Sequence, residues 1–489
     1  MRRWQFFCFV IAVAAGLIGI DARATYGAQV SADEPQYLLT AISLAEDFDL
    51  DISDELDEER FRDFHEVSLN QQTIELNAEG QRISPHDPLL PIILAVPVAL
   101  GGWVGAKVAL ALIAGLTAVA TFTLAVRRFG VDRRVGGFVV SAFFIASPFA
   151  AYGAQVYPAM PAALTMTLGV LAVTGSPSTR KSVVAVLSVV ALPWLSVKYV
   201  PIAAVVALGL LWQNWRAGNS KAVAAILTTL AISGVAYGVA HQQVWGGWTV
   251  YASGDFFVGG EFEVVGTNAN YVARTNRLLG LIIDRHFGLA AWSPAFLLMP
   301  AALTALVRGA RSRPGETPRG EGESSYQTAE WVVVVGAIAA GWAVATWVAL
   351  TMHGFWWSGR QVVPILPLVV MSVAVLVQRI RGLLWPVVLL GLVGLFNWAW
   401  IAIEASTGRR ALIVDHEDTA NPLYQAWKQL LPDHRIDAVP DQIMTAIWGA
   451  LFAGTVLWIV RRTGEHAHGI QGEVMESSTY EVSHLAKLN

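Results

Sequence analysis

The chain reads as an all-α polytopic membrane protein of about 12 transmembrane helices. Three observations lead there. Its 489 residues are 55% hydrophobic and only 14% charged, with a mean hydropathy of +0.50, too apolar for a soluble globular chain. Apolar runs long enough to cross about 30 Å of hydrocarbon recur along it. Lys and Arg gather in alternate connections between those runs.

The runs lie near residues 4–20, 108–126, 134–151, 159–175, 182–195, 199–213, 222–241, 289–307, 331–350, 362–378, 383–402 and 443–460. The pair 182–195 and 199–213 is short and joined through Ser196-Val197-Lys198-Tyr199, which predicts broken or tilted helices. Arg2-Arg3, Arg127-Arg128, Arg133-Arg134, Arg180-Lys181, Arg216, Lys221, the cluster from Arg308 to Arg319, Arg379, Arg381 and Arg461-Arg462 fall on one side. That side is read as the cytoplasm, holding both termini. The exoplasmic side then receives 21–107, 242–288, 351–361 and 403–442, which carry most of the Asp and Glu.

The run Pro88 to Val104 is apolar enough to span, yet a crossing there would invert every later basic loop. It is therefore read as a Pro-rich helix lying along or dipping into the outer interface. Arg2-Arg3, an apolar run and small residues at Ala22 to Ala24 also suit a cleavable signal peptide, and Asp33 lies outside under either reading. Residues 1–462 form the predicted transmembrane domain and 463–489 a disordered cytoplasmic tail. The single cysteine, Cys8, excludes an internal disulfide, and a net charge of -4 offers nothing to nucleic acid.

Two polar patches stand where apolar helices meet water: Ala32-Asp33-Glu34-Pro35-Gln36-Tyr37-Leu38 and Ser84-Pro85-His86-Asp87-Pro88-Leu89-Leu90-Pro91. An ionisable group at such a boundary is costly to keep dry, so its presence suggests a task. The structural alternative is that Asp33 and Glu34 cap a helix and face its positive dipole end. The acidic sequel from Glu46 to Asp63 reads as a solvated surface.

Both patches resemble the GT-C superfamily of membrane glycosyltransferases that use polyprenyl-phosphate sugars. They are similar to its phospholipid-carrier-dependent branch, whose relatives include protein O-mannosyltransferases and lipid A aminoarabinose transferases. "DEPQYL" and "HDPLLP" look like that branch's "DEPHYL" and "HPPGLP", with Asp87 departing from the usual Pro. "YGAQVYPAMPAAL" from Tyr152, "LPWLSVKY" from Leu192, "DRHFGLAAWSPAFLL" from Asp284 and "WWSGRQVVPILPL" from Trp356 follow in the expected order. Beyond residue 403 the resemblance stops.

The resemblance implies inverting transfer of a sugar from a polyprenyl-phosphate carrier to an acceptor hydroxyl of a glycan, lipid or protein, at the outer face of a bacterial plasma membrane. Lipid phosphate is already a good leaving group, so one general base suffices. Asp33 is the candidate base, and Glu34 the second catalytic candidate, to orient the acceptor, hold Asp33 in place or help bind a cation. Lys198, Arg360 and His86 are candidate donors to the phosphate, where charge grows as the bond breaks. Lys198 as a snorkelling side chain and Arg360 as an interfacial anchor are the competing readings. Tyr37, Tyr157, Trp356 and Trp357 are candidate contacts to sugar or acceptor, although most of the 19 Trp should be interface residues. No cofactor is required, and a divalent metal held by Asp33, Glu34 and His86 is an allowed addition. His286, His353 and Trp292 are weaker candidates. The segment 242–288, with Trp245, Trp248, Tyr251 and Asp255, is expected to cover the site, and its Gly246-Gly247 and Gly259-Gly260 pairs would permit movement.

The main rival class is a secondary transporter of about 12 helices, which needs broken helices at mid-membrane and two matching halves. Here the polar residues gather at outer helix ends, and the longest loop is outside. A non-catalytic GT-C-like protein is the third class.

Overall fold

A computed structural model describes residues 1–69, 72, 74–75, 80–250, 270–311, 320–349, 351–436 and 438–461. The predicted tail, together with Tyr251, Asp255 and Gly259-Gly260, lies outside the described residues. Among the described residues, every apolar run named above is largely helical. The first half of the chain forms α1 (Arg2–Leu17), α2 (Glu34–Glu46), α3 (Ser53–Asp57), α4 (Leu89–Arg128), α5 (Arg133–Phe144), α6 (Phe149–Tyr152), α7 (Ala159–Val173), α8 (Thr179–Leu195), α9 (Val200–Arg216) and α10 (Ser220–Trp245). The second half forms α11 (Tyr271–Arg274), α12 (Arg277–Ile283), α13 (Leu289–Trp292), α14 (Met299–Arg311), α15 (Gly320–Ala343), α16 (Leu366–Arg379), α17 (Leu384–Ser406), α18 (Pro422–Trp427) and α19 (Val439–Arg461). Ile74–Glu75 and Arg82–Ile83 pair as a short antiparallel ribbon in the first loop.

Among the described residues, 6 helices are long and apolar enough to cross a membrane, and Ala159–Val173, Pro294–Arg308 and Val363–Arg379 are shorter apolar helices. The molecule is an all-α, multi-pass membrane protein. The core between its helices is filled by Ala, Val, Leu and Phe, and large apolar side chains of α10 and α19 such as Ile232, Val235, Ile447 and Leu451 point outward. That outward apolar surface suits lipid, where burial against hydrocarbon replaces burial in a core.

α4 is not one rod. Gly101 and Gly102 leave helical geometry, and Gly102 adopts φ 57° and ψ -148°, a region open almost only to glycine. The chain reverses there so sharply that a Cβ on Gly105 would meet the Pro97 carbonyl. In a straight helix those residues would stand about 12 Å apart. The arm 89–100 therefore folds back on the arm 103–128, which agrees with treating Pro88–Val104 as separate from the following span. The predicted break between α8 and α9 is also present: Ser196 is extended and Val197–Tyr199 forms a single 3-10 turn.

Side-chain hydrogen bonds sort the connections into two sets. At one end Asp132 N–H donates to Gln378, Arg128 to Leu171 O, Arg308 to Val460 O and Arg379 to Ala305 O. At the other end Lys107 reaches Ile20 O and Gln29 O, Asp87 meets Val197 and His241, Lys198 meets Gln361, and Arg285 meets Leu431 O. Each set joins residues in or at the edge of loops that the charge pattern groups together.

One expectation is corrected here. The acidic run is not uniformly solvated, because Glu55 is only 2% exposed. Its helix α3 lays that side chain inward beside Leu56 while Asp54 stays outside.

Candidate active site

α2 begins where Ala32 turns through φ 51° and Pro35 fixes the first turn. Asp33 stands at the N-cap, but its carboxylate makes no capping hydrogen bond. It accepts instead a short hydrogen bond from Arg360 Nη2, 327 residues away. His86 Nε2 lies 3.7 Å from the same oxygen. Glu34 takes the structural part: its Oε2 accepts the Ser31 N–H at 2.9 Å and its Oε1 the Val156 N–H at 2.6 Å.

Arg360 is held in an aromatic cradle. Its guanidinium carbon lies 4.1 Å from the Tyr157 ring centre and 4.8 Å from that of Trp356. Rings on its faces leave the polar edge free to form in-plane hydrogen bonds. Tyr37 sets its ring edge-on to His86 with centroids 4.7 Å apart, and stands 6.5 Å from Tyr157. Lys198 donates to Gln361 Oε1 at 3.2 Å, on the residue next to Arg360. The structure thus brings Asp33, His86, Arg360, Tyr37, Tyr157 and Trp356 into one cluster, with Lys198 one residue away across Gln361. Trp357 differs: its ring is fully buried, donates to Ser147 Oγ and packs on Trp292 and Trp398.

Burial alone would raise the Asp33 carboxyl, but the adjoining Arg360 and His86 hold it well below the usual carboxylate range. Burial dominates at Glu34 and pushes it up to about 7, against the opposing pull of Lys107 and its two backbone donors. The neighbouring carboxyls thus titrate far apart. Asp33 keeps its charge; Glu34 changes charge near neutrality.

Three residues of this region escaped sequence reasoning. Lys107 is buried at 2% exposure and ties α4 to Ile20 O and Gln29 O, each at 3.0 Å. Asp87 accepts from Val197 N–H at 3.1 Å, Tyr237 OH at 3.0 Å and His241 Nε2 at 3.0 Å, joining the His86 turn to the Lys198 turn and to α10. Gln361 carries the contact to Lys198. A lone Lys inside an apolar helix and an Asp standing where the motif has Pro were the available signals.

The residues do not fit a metal centre as they stand. Both Glu34 oxygens face backbone N–H groups and Asp33 Oδ2 faces Arg360. What the cluster offers is an ionised carboxylate, a stacked guanidinium, an imidazole and a lysine amine. That set suits an anionic ligand.

A second polar cluster is built by the late loop. Asp284 lies 3.5 Å from His353 Nε2 and 3.3 Å from His434 Nδ1, and His286 lies 2.7 Å from Glu417 and 3.2 Å from Asp433. With Tyr424 stacked on Trp292, these contacts seat 403–442 on the segment 284–292.

Fold and site together define a multi-pass membrane protein with a half-buried, oppositely charged pair at one end of its helices. No protein-family model matches the chain, and neither does a curated protein. Among solved structures, that of ArnT from Cupriavidus metallidurans bound to undecaprenyl phosphate is similar, at 14% identity and a TM-score of 0.46, covering 94% of this chain and 72% of that one.

Proposed function

We propose that the protein is an inverting glycosyltransferase that moves a sugar from a polyprenyl-phosphate carrier to an acceptor hydroxyl at the exoplasmic face of a bacterial plasma membrane. The observation that carries this reading is the Asp33–Arg360 pair, seated between Tyr157 and Trp356 and next to His86. Its residues come from the same motif patches that resemble the GT-C glycosyltransferases. The alternation of basic loops supports the exoplasmic side and cytoplasmic termini, with residues 1–462 as the working unit.

Asp33 paired with Arg360 is a poor base, because the guanidinium holds its carboxylate deprotonated and occupied. A donor phosphate competes for the same guanidinium, and a phosphate-bound Arg360 releases Asp33. The freed carboxylate takes the proton of the acceptor hydroxyl as that oxygen bonds to the anomeric carbon. The bond from that carbon to the phosphate oxygen breaks, its electron pair stays on the phosphate, and Arg360, His86 and Lys198 meet the growing charge. One displacement inverts the anomeric centre. Glu34 holds the Ser31 and Val156 backbone in place, and Tyr37, Tyr157 and Trp356 supply faces for sugar or acceptor. No step is routed through a metal.

The test is incubation of purified protein with a panel of polyprenyl-phosphate sugars, reading donor consumption with and without Asp33→Asn. One consumed donor, lost in the variant, supports the reading. If no donor is consumed while a small solute crosses proteoliposomes, the transporter reading replaces it; if neither occurs, the non-catalytic one does.

A further inference from the structure

The acidic run after α2 contains carboxylates of two kinds. Glu46 pairs with Arg60 at 2.7 Å, Glu58 reaches Arg60 at 3.9 Å, Glu59 pairs with Arg62 at 2.9 Å and Asp57 with Arg82 at 2.5 Å. Asp49 accepts from Ser43 Oγ at 2.9 Å, and Asp51 accepts the Arg82 N–H at 3.0 Å. Among the described residues, Asp47, Asp54 and Glu55 take part in none of these ion pairs. Those three converge, with one carboxylate oxygen from each within 4.8 Å of the others.

The buried member supplies a second observation. Glu55 is 2% exposed and its Oε2 is buried without a hydrogen-bond partner, facing a cluster whose other two members are exposed. An unmatched buried carboxylate oxygen loses its hydration without compensation. Asp47 adds to the imbalance, because it stands at the C-cap of α2, where the helix dipole is negative. Arg60, the nearest cation of the run, is committed to Glu46 and Glu58.

We propose that Asp47, Asp54 and Glu55 form a calcium site that fastens the C-terminal end of α2 to α3. An all-oxygen set selects a hard cation over zinc. Three carboxylates with an open side can supply the six to eight oxygens that calcium takes, whereas magnesium usually keeps most of its water and binds through one or two carboxylates. One exposed side of the site leaves room for water ligands. The site is independent of the glycosyltransferase reading, although it anchors the same helix that presents Asp33 and Glu34.

The experiment is calorimetric titration of calcium chloride into the chelator-treated full-length protein in detergent, with magnesium chloride as the competing ion. One ion per chain is expected, with a dissociation constant of about 10⁻⁴–10⁻³ M, as in extracellular calcium modules. Glu55→Gln should weaken it at least about tenfold, and excess magnesium should not displace it. Asp47→Asn with Asp54→Asn changes only exposed side chains and serves if Glu55→Gln fails to fold. No saturable calcium binding, or binding unchanged in the exposed-residue double variant, overturns the site.

Discussion

Asp87 Oδ2 accepts a hydrogen bond from the backbone N–H of Val197 at 3.1 Å, so the turn that carries His86 is bonded to the turn that carries Lys198. The other oxygen of Asp87 holds Tyr237 and His241 of α10. Two candidate phosphate donors are thereby placed by one buried carboxylate that is itself neither base nor donor. Asp87→Ala should cost about 1–3 kcal/mol for each donor left unpaired. Asp87→Asn keeps an acceptor and should fold; it is expected to raise KM for the lipid-linked donor several-fold more than it lowers kcat, measured in detergent with varied donor.

Asp33→Asn should lower turnover by about 100-fold or more, the usual scale for removing a general base. Arg360→Lys should be nearly as damaging, since an ammonium neither lies flat between Tyr157 and Trp356 nor forms the same planar hydrogen bonds. Turnover assays on both variants, normalised to folded protein by size-exclusion chromatography, check this.

Glu34 gives a pH signature in stability. Its carboxyl is raised from an ordinary value of 4.5 to about 7 by burial. The folded chain therefore holds a proton that the unfolded chain has released. Stability from this group is fully present below about pH 4.5 and is lost as pH rises to about 7, with no further change above. Thermal unfolding between pH 4.5 and 8 should show a fall in Tm that is flatter in Glu34→Gln.

Gly102 is expected to tolerate no side chain. Alanine there must occupy φ 57° with ψ -148°, at about 1–3 kcal/mol. Gly102→Ala should lower Tm by several degrees and also reduce turnover, because the arm it turns carries Lys107 toward the first loop. Gly382 has open space around a would-be Cβ and an ordinary backbone, so Gly382→Ala serves as the control.

Much of this architecture was legible in the chain. Apolar length located the helices because hydrocarbon thickness fixes how many residues a crossing needs. Basic-loop alternation set Pro88–Val104 apart from the span that follows, and the chain divides the two at Gly101-Gly102. The site was legible as a set of residues but not as a set of partners. Nothing in the spacing of Asp33 and Arg360 announces a pair, since tertiary packing alone brings them together. Lys107 and Asp87 were missed for the same reason: each works through backbone groups of distant segments, which leave no pattern in sequence. Trp357 shows the converse, because adjacency to Trp356 cannot say which of two successive rings turns inward. The loop 403–442 had no reading at all, and its seat on 284–292 depends on contacts such as Tyr424 on Trp292.

The pairing of Asp33 with a guanidinium 327 residues downstream also sets an order of events in biogenesis. When the loop that carries Asp33 has been made, Arg360 has not yet been synthesised. Asp33 must then wait as an unpaired carboxylate until the later helices that enclose it are made. The charged centre closes only when the segment Trp356–Gln361 arrives, so the site is among the last parts of the molecule to mature. A nascent chain stopped before that point would expose Asp33 to solvent, and its susceptibility to carbodiimide labelling would report how far assembly had gone.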